Sequence, residues 1–309
     1  MSIPGSRCAS NARCELGGNV SRVTAVEARR DAPVAVLGEQ SLRAVQEIID
    51  RDPFVNAVAS ARVRAAGSLA ADRLGGYVVG CPGPDGGLAA CFAGGTLLPL
   101  GGDSQALARL ADFVARHPRV STSIVGRADA VRDMWKRLAP AWGPARAVRE
   151  AQPLLVADRT PGVARDPDVR AVQPHQLERY LPAAAAMFTD ELGMSPHVSP
   201  GTAAFHARIR HVIAEGHAFA SVDFRGQVIF KAEIGAITPH TAQLQGVWVR
   251  PDLRGRGVAT AALATVFEHA LALAPTVSLY VNDYNLAARR LYDRLGMRQH
   301  ATLSTVLLS

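Results

Sequence analysis

A short basic and glycine-rich segment, RGRG at residues 254–257, has the residue types of an anion-binding turn. The first N–H groups of a helix lack partners within the helix and point outward at the positive end of its dipole. Gly255 and Gly257 leave such groups open to a ligand because glycine has no Cβ. Arg254 and Arg256 add positive charge. The segment therefore predicts a seat for a phosphate or pyrophosphate, and an unliganded basic turn is the alternative interpretation.

This seat requires a strand before it and a helix after it. TAQLQGVWV, at residues 241–249, is typical of a strand, and the small residues from Val258 to Ala272 predict a helix that packs closely on a sheet. Two apolar runs that meet at Arg225-Gly226 predict a hairpin before the strand. A strand, a helix and a last strand follow, at residues 276–282, 286–296 and 298–308.

The same order of elements occurs twice along the chain, which indicates a duplication. Residues 1–32 have no periodicity and are interpreted as a leader. Residues 33–158 give helix, hairpin strands, helix, strand, helix and strand, and residues 167–309 give this order again. Between them, residues 159–166 have the proline, glycine and polar composition of a linker. The sequence therefore predicts two domains of the mixed α/β class.

Two linked motifs in the C-terminal domain resemble those of the GNAT superfamily, the coenzyme A-dependent N-acetyltransferases. The first motif, Arg/Gln-x-x-Gly-x-Gly/Ala after a strand, is matched by Arg254, Gly257 and Ala259. The second has an Asn, an Ala, a Leu-Tyr pair and a Leu-Gly pair, matched by Asn285, Ala288, Leu291-Tyr292 and Leu295-Gly296. The resemblance implies a mixed, mostly antiparallel sheet flanked by helices, with a central pair of parallel strands that splay apart.

The N-terminal domain resembles the degenerate first domain of tandem GNAT proteins, so the expected fold is two tandem GNAT-like domains. After its corresponding strand, the stretch PLGGDSQALARL keeps two glycines but has Asp103 where an anion-binding turn is expected to be positive. Ser104 is the expected cap of the helix that follows. Because an aspartate repels a pyrophosphate, we expect this domain not to bind coenzyme A and to complete the substrate groove or an interface.

The resemblance also implies how the C-terminal domain holds acetyl-CoA. The pyrophosphate lies on the loop of Arg254, Gly255, Arg256, Gly257, Val258 and Ala259. The pantetheine arm pairs with the backbone of Val247, Trp248 and Val249, where the splayed strands leave backbone groups free. Asn285 helps to hold this arm through a side-chain hydrogen bond.

Acetyl transfer requires a base for the amine, a donor for the oxyanion and an acid for the leaving thiolate. By the resemblance Tyr292 is the acid, since a phenol with a pKa of about 10 can protonate a thiolate, and a packed aromatic residue is the alternative. Some relatives carry a glutamate on the strand before the phosphate loop, where this chain has Gln243 and Gln245. Glu233 on the neighbouring strand is the best carboxylate substitute. A solvated or paired glutamate on the hairpin, with water as the base, is the alternative.

Three more titratable side chains, Asp190, Glu191 and His197, lie in the segment that lines the acceptor site in this family. They can attract a cationic amine, and side chains that only face solvent are the alternative. His206 and His211 share a helix without a carboxylate between them. The histidines therefore do not predict a metal site.

Composition limits the classes of function. The formal net charge is +7, and Lys136 and Lys231 are the only lysines, so arginine carries nearly all of the positive charge. These charges are scattered along the chain, which makes nucleic-acid binding the weakest alternative. No apolar run is long enough for a membrane helix, no secretory signal is recognisable, and the four cysteines form no metal-binding pairs. A cytoplasmic protein is expected.

Together these features predict an acetyl-CoA-dependent N-acetyltransferase that acts by direct attack in a ternary complex. The acceptor is a primary amine, on a small molecule, a peptide N-terminus or a protein lysine. The alternative from another class is an acyl-CoA-binding regulator without catalysis. The sequence leaves open the acceptor, the base, the oligomeric state, the length of the acyl group and the structural or regulatory role of the first domain.

Overall fold

Twelve strands form one continuous sheet in the part of the chain that the structure describes. The computed structural model describes residues 33–83, 86–193, 195–196 and 201–309. The expected leader and His197 lie outside these residues. The strands are β1 (Ala35–Val36), β2 (Gly76–Pro82), β3 (Leu88–Gly94), β4 (Thr96–Gly101), β5 (Ser123–Arg127), β6 (Ala145–Ala157), β7 (Arg170–Ala171), β8 (Ala218–Val222), β9 (Val228–Ile237), β10 (Ala242–Val249), β11 (Val277–Tyr280) and β12 (Arg298–Leu308).

Nine α-helices of the described residues flank this sheet. In chain order they are α1 (Leu42–Asp50), α2 (Ala57–Ala66), α3 (Ala71–Leu74), α4 (Ser104–Ala115), α5 (Ala128–Trp142), α6 (Leu177–Leu192), α7 (Gly201–Ala214), α8 (Val258–Leu271) and α9 (Leu286–Arg294). None of the described helices is long and apolar enough to cross a membrane.

Local sequence accounts for most of these elements. The expected hairpin is confirmed: β8 and β9 are joined by a turn in which Asp223 Oδ1 accepts the N–H groups of Arg225 and Gln227, each at 2.9 Å. The expected cap at Ser104 is wrong, because Asp103 precedes α4 and accepts the N–H of Ala106 at 2.8 Å. An aspartate carboxylate is as good an N-cap as a serine hydroxyl, and it also has a favourable charge at the helix N-terminus.

Each half of the chain contains one pair of parallel strands, and the two strands of each pair diverge. β4 and β5 pair through Thr96↔Ser123 and Leu97↔Ile124 only, and β10 and β11 through Ala242↔Val277 and Gln243↔Ser278 only. The other ladders of the described sheet are antiparallel. The predicted fold of two GNAT-like units, each with a mixed sheet and a splayed central pair, is therefore confirmed.

The two halves exchange their last strands, an arrangement that the sequence does not predict. The sheet has the order β1-β2-β3-β4-β5-β12-β6-β11-β10-β9-β8-β7, so β6 lies against β11 and β12 lies against β5. Leu155 and Ala157 of β6 enter the apolar core of the C-terminal half. Val306 and Leu308 of β12 enter the core of the N-terminal half. Strand pairing therefore crosses the boundary that the sequence places at 159–166, and that boundary stays a prediction.

Candidate active site

The divergence of β10 from β11 leaves one edge of β10 open. Beyond Gln243 this strand has a sheet neighbour only on the β9 side. A β-bulge at Gly246 and Val247 interrupts that ladder as well, between the pairs Gln245↔Glu233 and Trp248↔Lys231. Backbone groups at the end of β10 therefore face the opening between the strands, where the sequence predicted that Val247, Trp248 and Val249 would meet a ligand.

A buried ionic cluster lies behind the bulge. Lys231 Nζ donates to the carbonyl of Gly246 at 2.9 Å and lies 2.9 Å from Glu233 Oε1. Arg208 Nη1 lies 2.8 Å from the other carboxylate oxygen, and the Tyr180 hydroxyl donates to Oε1 at 3.1 Å. Both Lys231 and Glu233 are 0% exposed. Gly246 has a φ of 58°, and a Cβ there would lie 2.9 Å from Lys231 Nζ, so the cluster and the bulge require glycine at this position.

This environment makes Glu233 a weak base. Burial alone would raise the pKa of its carboxyl group, but the charges of Lys231 and Arg208 and their hydrogen bonds lower it to about 2. A carboxylate with so low a pKa has little tendency to accept a proton at neutral pH. The geometry therefore favours the alternative that was left open for Glu233, a paired structural residue.

The predicted phosphate loop leads into the N-terminus of α8, which has no side-chain cap. Gly257 is the N-cap of α8, with a φ of 82°, and Gly255 has a φ of 76°. A Cβ at either glycine would meet no atom within 4 Å, so these glycines serve the backbone conformation and leave open space above it. An uncapped helix N-terminus beside open space has the features of an anion site.

The two arginines of this loop differ in their contacts. Arg254 Nη2 lies 2.6 Å from Asp190 Oδ2, and its Nε donates to the carbonyl of Val249 at 3.0 Å. Asp190 also accepts the indole N–H of Trp248 at 3.3 Å. Arg256 is exposed and has no ion pair among the described residues. Arg254 thus connects the loop to the end of α6, while Arg256 is available to a ligand.

Asn285 and Tyr292 lie on the helix beyond β11. Asn285 Oδ1 accepts the N–H of Ala288 at 3.1 Å and caps α9, and its side-chain amide N–H groups have no hydrogen-bond partner among the described residues. Tyr292 is 5% exposed, and its hydroxyl has no hydrogen-bond partner within the described ranges. Burial and the charge of Glu191 raise the pKa of Tyr292 well above its usual range, which keeps the phenol protonated.

One apolar cluster connects these parts of the site. Tyr292 belongs to it, and Val247, Val249, Val258 and Ala288 pack against it. The open edge of β10, the start of α8 and the tyrosine face of α9 therefore share one core. No group of three metal-ligating side chains occurs in the ranges that the structure describes.

The corresponding region of the N-terminal half is closed. Asp103 caps α4, and Asn56 Nδ2 donates to the carbonyls of Leu100 and Ile49, each at 3.2 Å. Leu100 is the bulged residue of β4, the counterpart of the bulge in β10. The carbonyl of Leu100, which would face a ligand here, is therefore already paired with the side chain of Asn56.

Comparisons with known proteins agree with this fold. A family model described as "Acetyltransferase (GNAT) family" matches residues 188–297. Residues 188–297 are a GNAT acetyltransferase domain. The chain is therefore an acyltransferase, and enzymes of the GNAT family use acetyl-CoA as co-substrate and act on amine acceptors. A second model, "Domain of unknown function (DUF4081)", matches residues 76–180. No curated protein matches the chain.

Solved structures, two of them of GNAT proteins, resemble the chain in fold. An acetyltransferase of the GNAT family from Colwellia psychrerythraea is 12% identical, with a TM-score of 0.52 over 89% of this chain and 99% of that chain. A GCN5-related N-acetyltransferase from Sphaerobacter thermophilus is 18% identical, with a TM-score of 0.50 over 89% and 95% of the two chains. A Drosophila protein is 11% identical, with a TM-score of 0.64 over 89% and 98%. At these identities the similarity shows the fold alone.

Proposed function

We propose that this protein transfers an acetyl group from acetyl-CoA to a primary amine by direct attack in a ternary complex. The observation that carries the proposal is the open edge of β10 beside the uncapped start of α8. The first feature offers backbone partners to an amide-containing chain, and the second offers N–H groups to a pyrophosphate. The acceptor is a small amine, a peptide N-terminus or a protein lysine.

The proposed binding mode assigns one part of coenzyme A to each part of the site. The pyrophosphate lies on the loop from Arg254 to Ala259, with Arg256 as its free cation. The pantetheine arm pairs with the backbone of β10 from Val247 to Val249. The side-chain amide N–H groups of Asn285, which bond to no other described residue, donate to this arm.

In the proposed reaction the amine nitrogen attacks the thioester carbonyl carbon and forms the C–N bond. A backbone N–H near Val247 stabilises the oxyanion. The C–S bond then breaks, and Tyr292 gives its proton to the thiolate. The nitrogen releases its second proton to solvent, from which Tyr292 is reprotonated. The Tyr292 hydroxyl has no hydrogen-bond partner among the described residues, so its proton is not shared with another acceptor, but its raised pKa makes it a weaker acid than a free phenol.

The test is a screen for the release of free coenzyme A thiol from acetyl-CoA. The probes are a peptide with a free N-terminus, an N-acetylated peptide with one lysine and a small diamine. Amine-dependent thiol release supports the enzyme. Tight binding of acetyl-CoA without turnover on any probe would favour the acyl-CoA-binding regulator instead.

We also propose a cytoplasmic location. The two described cysteines, Cys81 and Cys91, are free and buried, as is common in proteins of reducing compartments.

A further inference from the structure

The end of α6 is held over the opening between β10 and β11 by both halves of the chain. On one side, Asp190 contacts Trp248 of β10 and Arg254 of the phosphate loop. On the other side, Arg149 of β6 donates from Nη2 to the backbone carbonyl of Glu191. Because β6 is the strand that the N-terminal half contributes to the C-terminal core, the first half positions this part of the site.

The side chain of Glu191, unlike that of Asp190, has no ion-pair or hydrogen-bond partner among the described residues. The residue is exposed. Desolvation and the charge of Glu233 raise the pKa of Glu191, and the charges of Arg149, Lys231 and Arg208 oppose this rise.

Glu191 also lies within electrostatic reach of the far side of the opening. Desolvation raises the pKa of Tyr280, at the end of β11, and the pKa of Tyr292, on α9, and the negative charge of Glu191 raises both further. Met187 of α6 packs with Trp248, whereas Tyr292 belongs to the cluster against which Val249 packs. Because neighbouring residues of a strand point to opposite faces, α6 and Tyr292 lie on opposite faces of β10 at its open end.

We propose that Glu191 is the base that accepts the proton of the acceptor ammonium group, and that Arg149 of the exchanged strand β6 is its positioning residue. This inference rests on the proposed acetyl transfer. It adds a substrate that binds as a cation and a positioning residue from the first half. The rival carboxylates are already paired, Glu233 with Lys231 and Arg208, and Asp190 with Arg254.

The proton balance of the step is complete. The ammonium group gives one proton to the Glu191 carboxylate and becomes a neutral amine. The amine forms the C–N bond, the C–S bond breaks, and the thiolate takes its proton from Tyr292. The amide nitrogen releases one proton, which restores Tyr292 through solvent, and Glu191 releases its proton to solvent after the product leaves.

The test compares Glu191→Gln with the parent on the best amine found in the thiol-release screen. The parent can use the ammonium form, so we expect kcat/KM to reach a plateau above the pKa of Glu191. The variant can react only with the unprotonated amine. Its kcat/KM should therefore be on the order of 100-fold lower at pH 7 and should rise about tenfold per pH unit up to the pKa of the amine. Acetyl-CoA affinity should be unchanged, because the carboxylate lies on the acceptor side.

Glu178→Gln is the matched control, because it makes the same chemical change at an exposed position in the first turn of the same helix. It should retain the parent rate and the plateau. Arg149→Met tests the positioning role: the charge of Arg149 lowers the pKa of Glu191, so its loss should move the start of the plateau to higher pH. Arg149→Lys should restore most of that shift.

If Glu191→Gln keeps the parent rate and plateau, the inference is wrong while the acetyl transfer stands. An Arg149→Met variant with an unshifted plateau overturns the positioning role. If the parent releases no thiol with any of the three probes, the proposed function fails and this inference fails with it.

Discussion

Glu233→Gln gives a quantitative test of the buried cluster behind the bulge. The pKa of this carboxyl group falls from 4.5 to about 2 in the folded chain. This difference corresponds to about 3 kcal/mol of stabilisation of the ionised form, at about 1.4 kcal/mol per pH unit. Glutamine keeps the shape of the protonated acid but leaves Lys231 without its counter-charge. We therefore expect the free energy of unfolding to fall by about 3 kcal/mol at pH 7.

The sign of the pH dependence follows from the direction of the pKa change. A lowered pKa stabilises the fold fully above about 4.5, and the stabilisation is lost as the pH falls through 4.5 toward 2. The difference between parent and variant should therefore be constant from pH 7 to 6 and should shrink to less than about half by pH 3. Taking this difference cancels the other acidic groups that the parent and the variant share.

The assay is urea denaturation at pH 7, 5 and 3, followed by far-ultraviolet circular dichroism. Glu215→Gln is the control, an exposed glutamate without an ion pair among the described residues, and it should change stability by less than about 0.5 kcal/mol. If Glu233→Gln lowers the free energy of unfolding by less than about 1 kcal/mol, or by the same amount at pH 7 and pH 3, the argument that Lys231 and Arg208 stabilise an ionised Glu233 is refuted.

The remaining predictions concern the cofactor, the acid and the exchanged strands. Isothermal titration should give one acetyl-CoA site per chain, and Gly257→Glu should abolish binding at this site. Gly216→Glu is the control and should leave binding unchanged, because Gly216 has a similar positive φ and open space around it. Two sites per chain would mean that the N-terminal half also binds acetyl-CoA. Tyr292→Phe should lower kcat on the order of 100-fold with unchanged acetyl-CoA affinity, and a variant with the parent rate would assign the acid to another group. A fragment of residues 167–309 should aggregate, because without β6 it exposes the edges of β11 and β12. A fragment of residues 145–309, which includes β6, should be more soluble. Size-exclusion chromatography measures the difference, and equal solubility of the two fragments would count against the strand exchange.

Sequence predicted the parts of the site that local chemistry determines. The glycine at position 257, the helix start at Val258 and the hairpin at Arg225-Gly226 follow from backbone preferences within a few residues, and the structure has each of them. The placement of Tyr292 on a helix face follows in the same way from helical spacing. Whether these residues perform the proposed chemistry is a separate question, which the variants above address.

The parts that sequence missed depend on contacts between distant segments. Lys231 and Glu233 alternate with Phe230 and Ala232 along β9, a pattern typical of a strand with one solvated face. In the structure α6 packs over that face and buries both charges, and nothing local to β9 indicates this. The exchange of β6 and β12 was missed for a related reason, since side-chain alternation identifies a strand without naming its neighbours.

The exchange of strands also determines the order in which the chain can complete its fold. During synthesis the N-terminal half emerges first, yet the open side of β5 has no partner until β12 has been made, more than a hundred residues later. β6 likewise has no sheet neighbour until β11 and β12 have been made. Both halves therefore finish together on contacts of long sequence separation, which slows folding and exposes strand edges to other chains in the interval. A stop codon that removed only β12 would damage the first half of the molecule as much as the second.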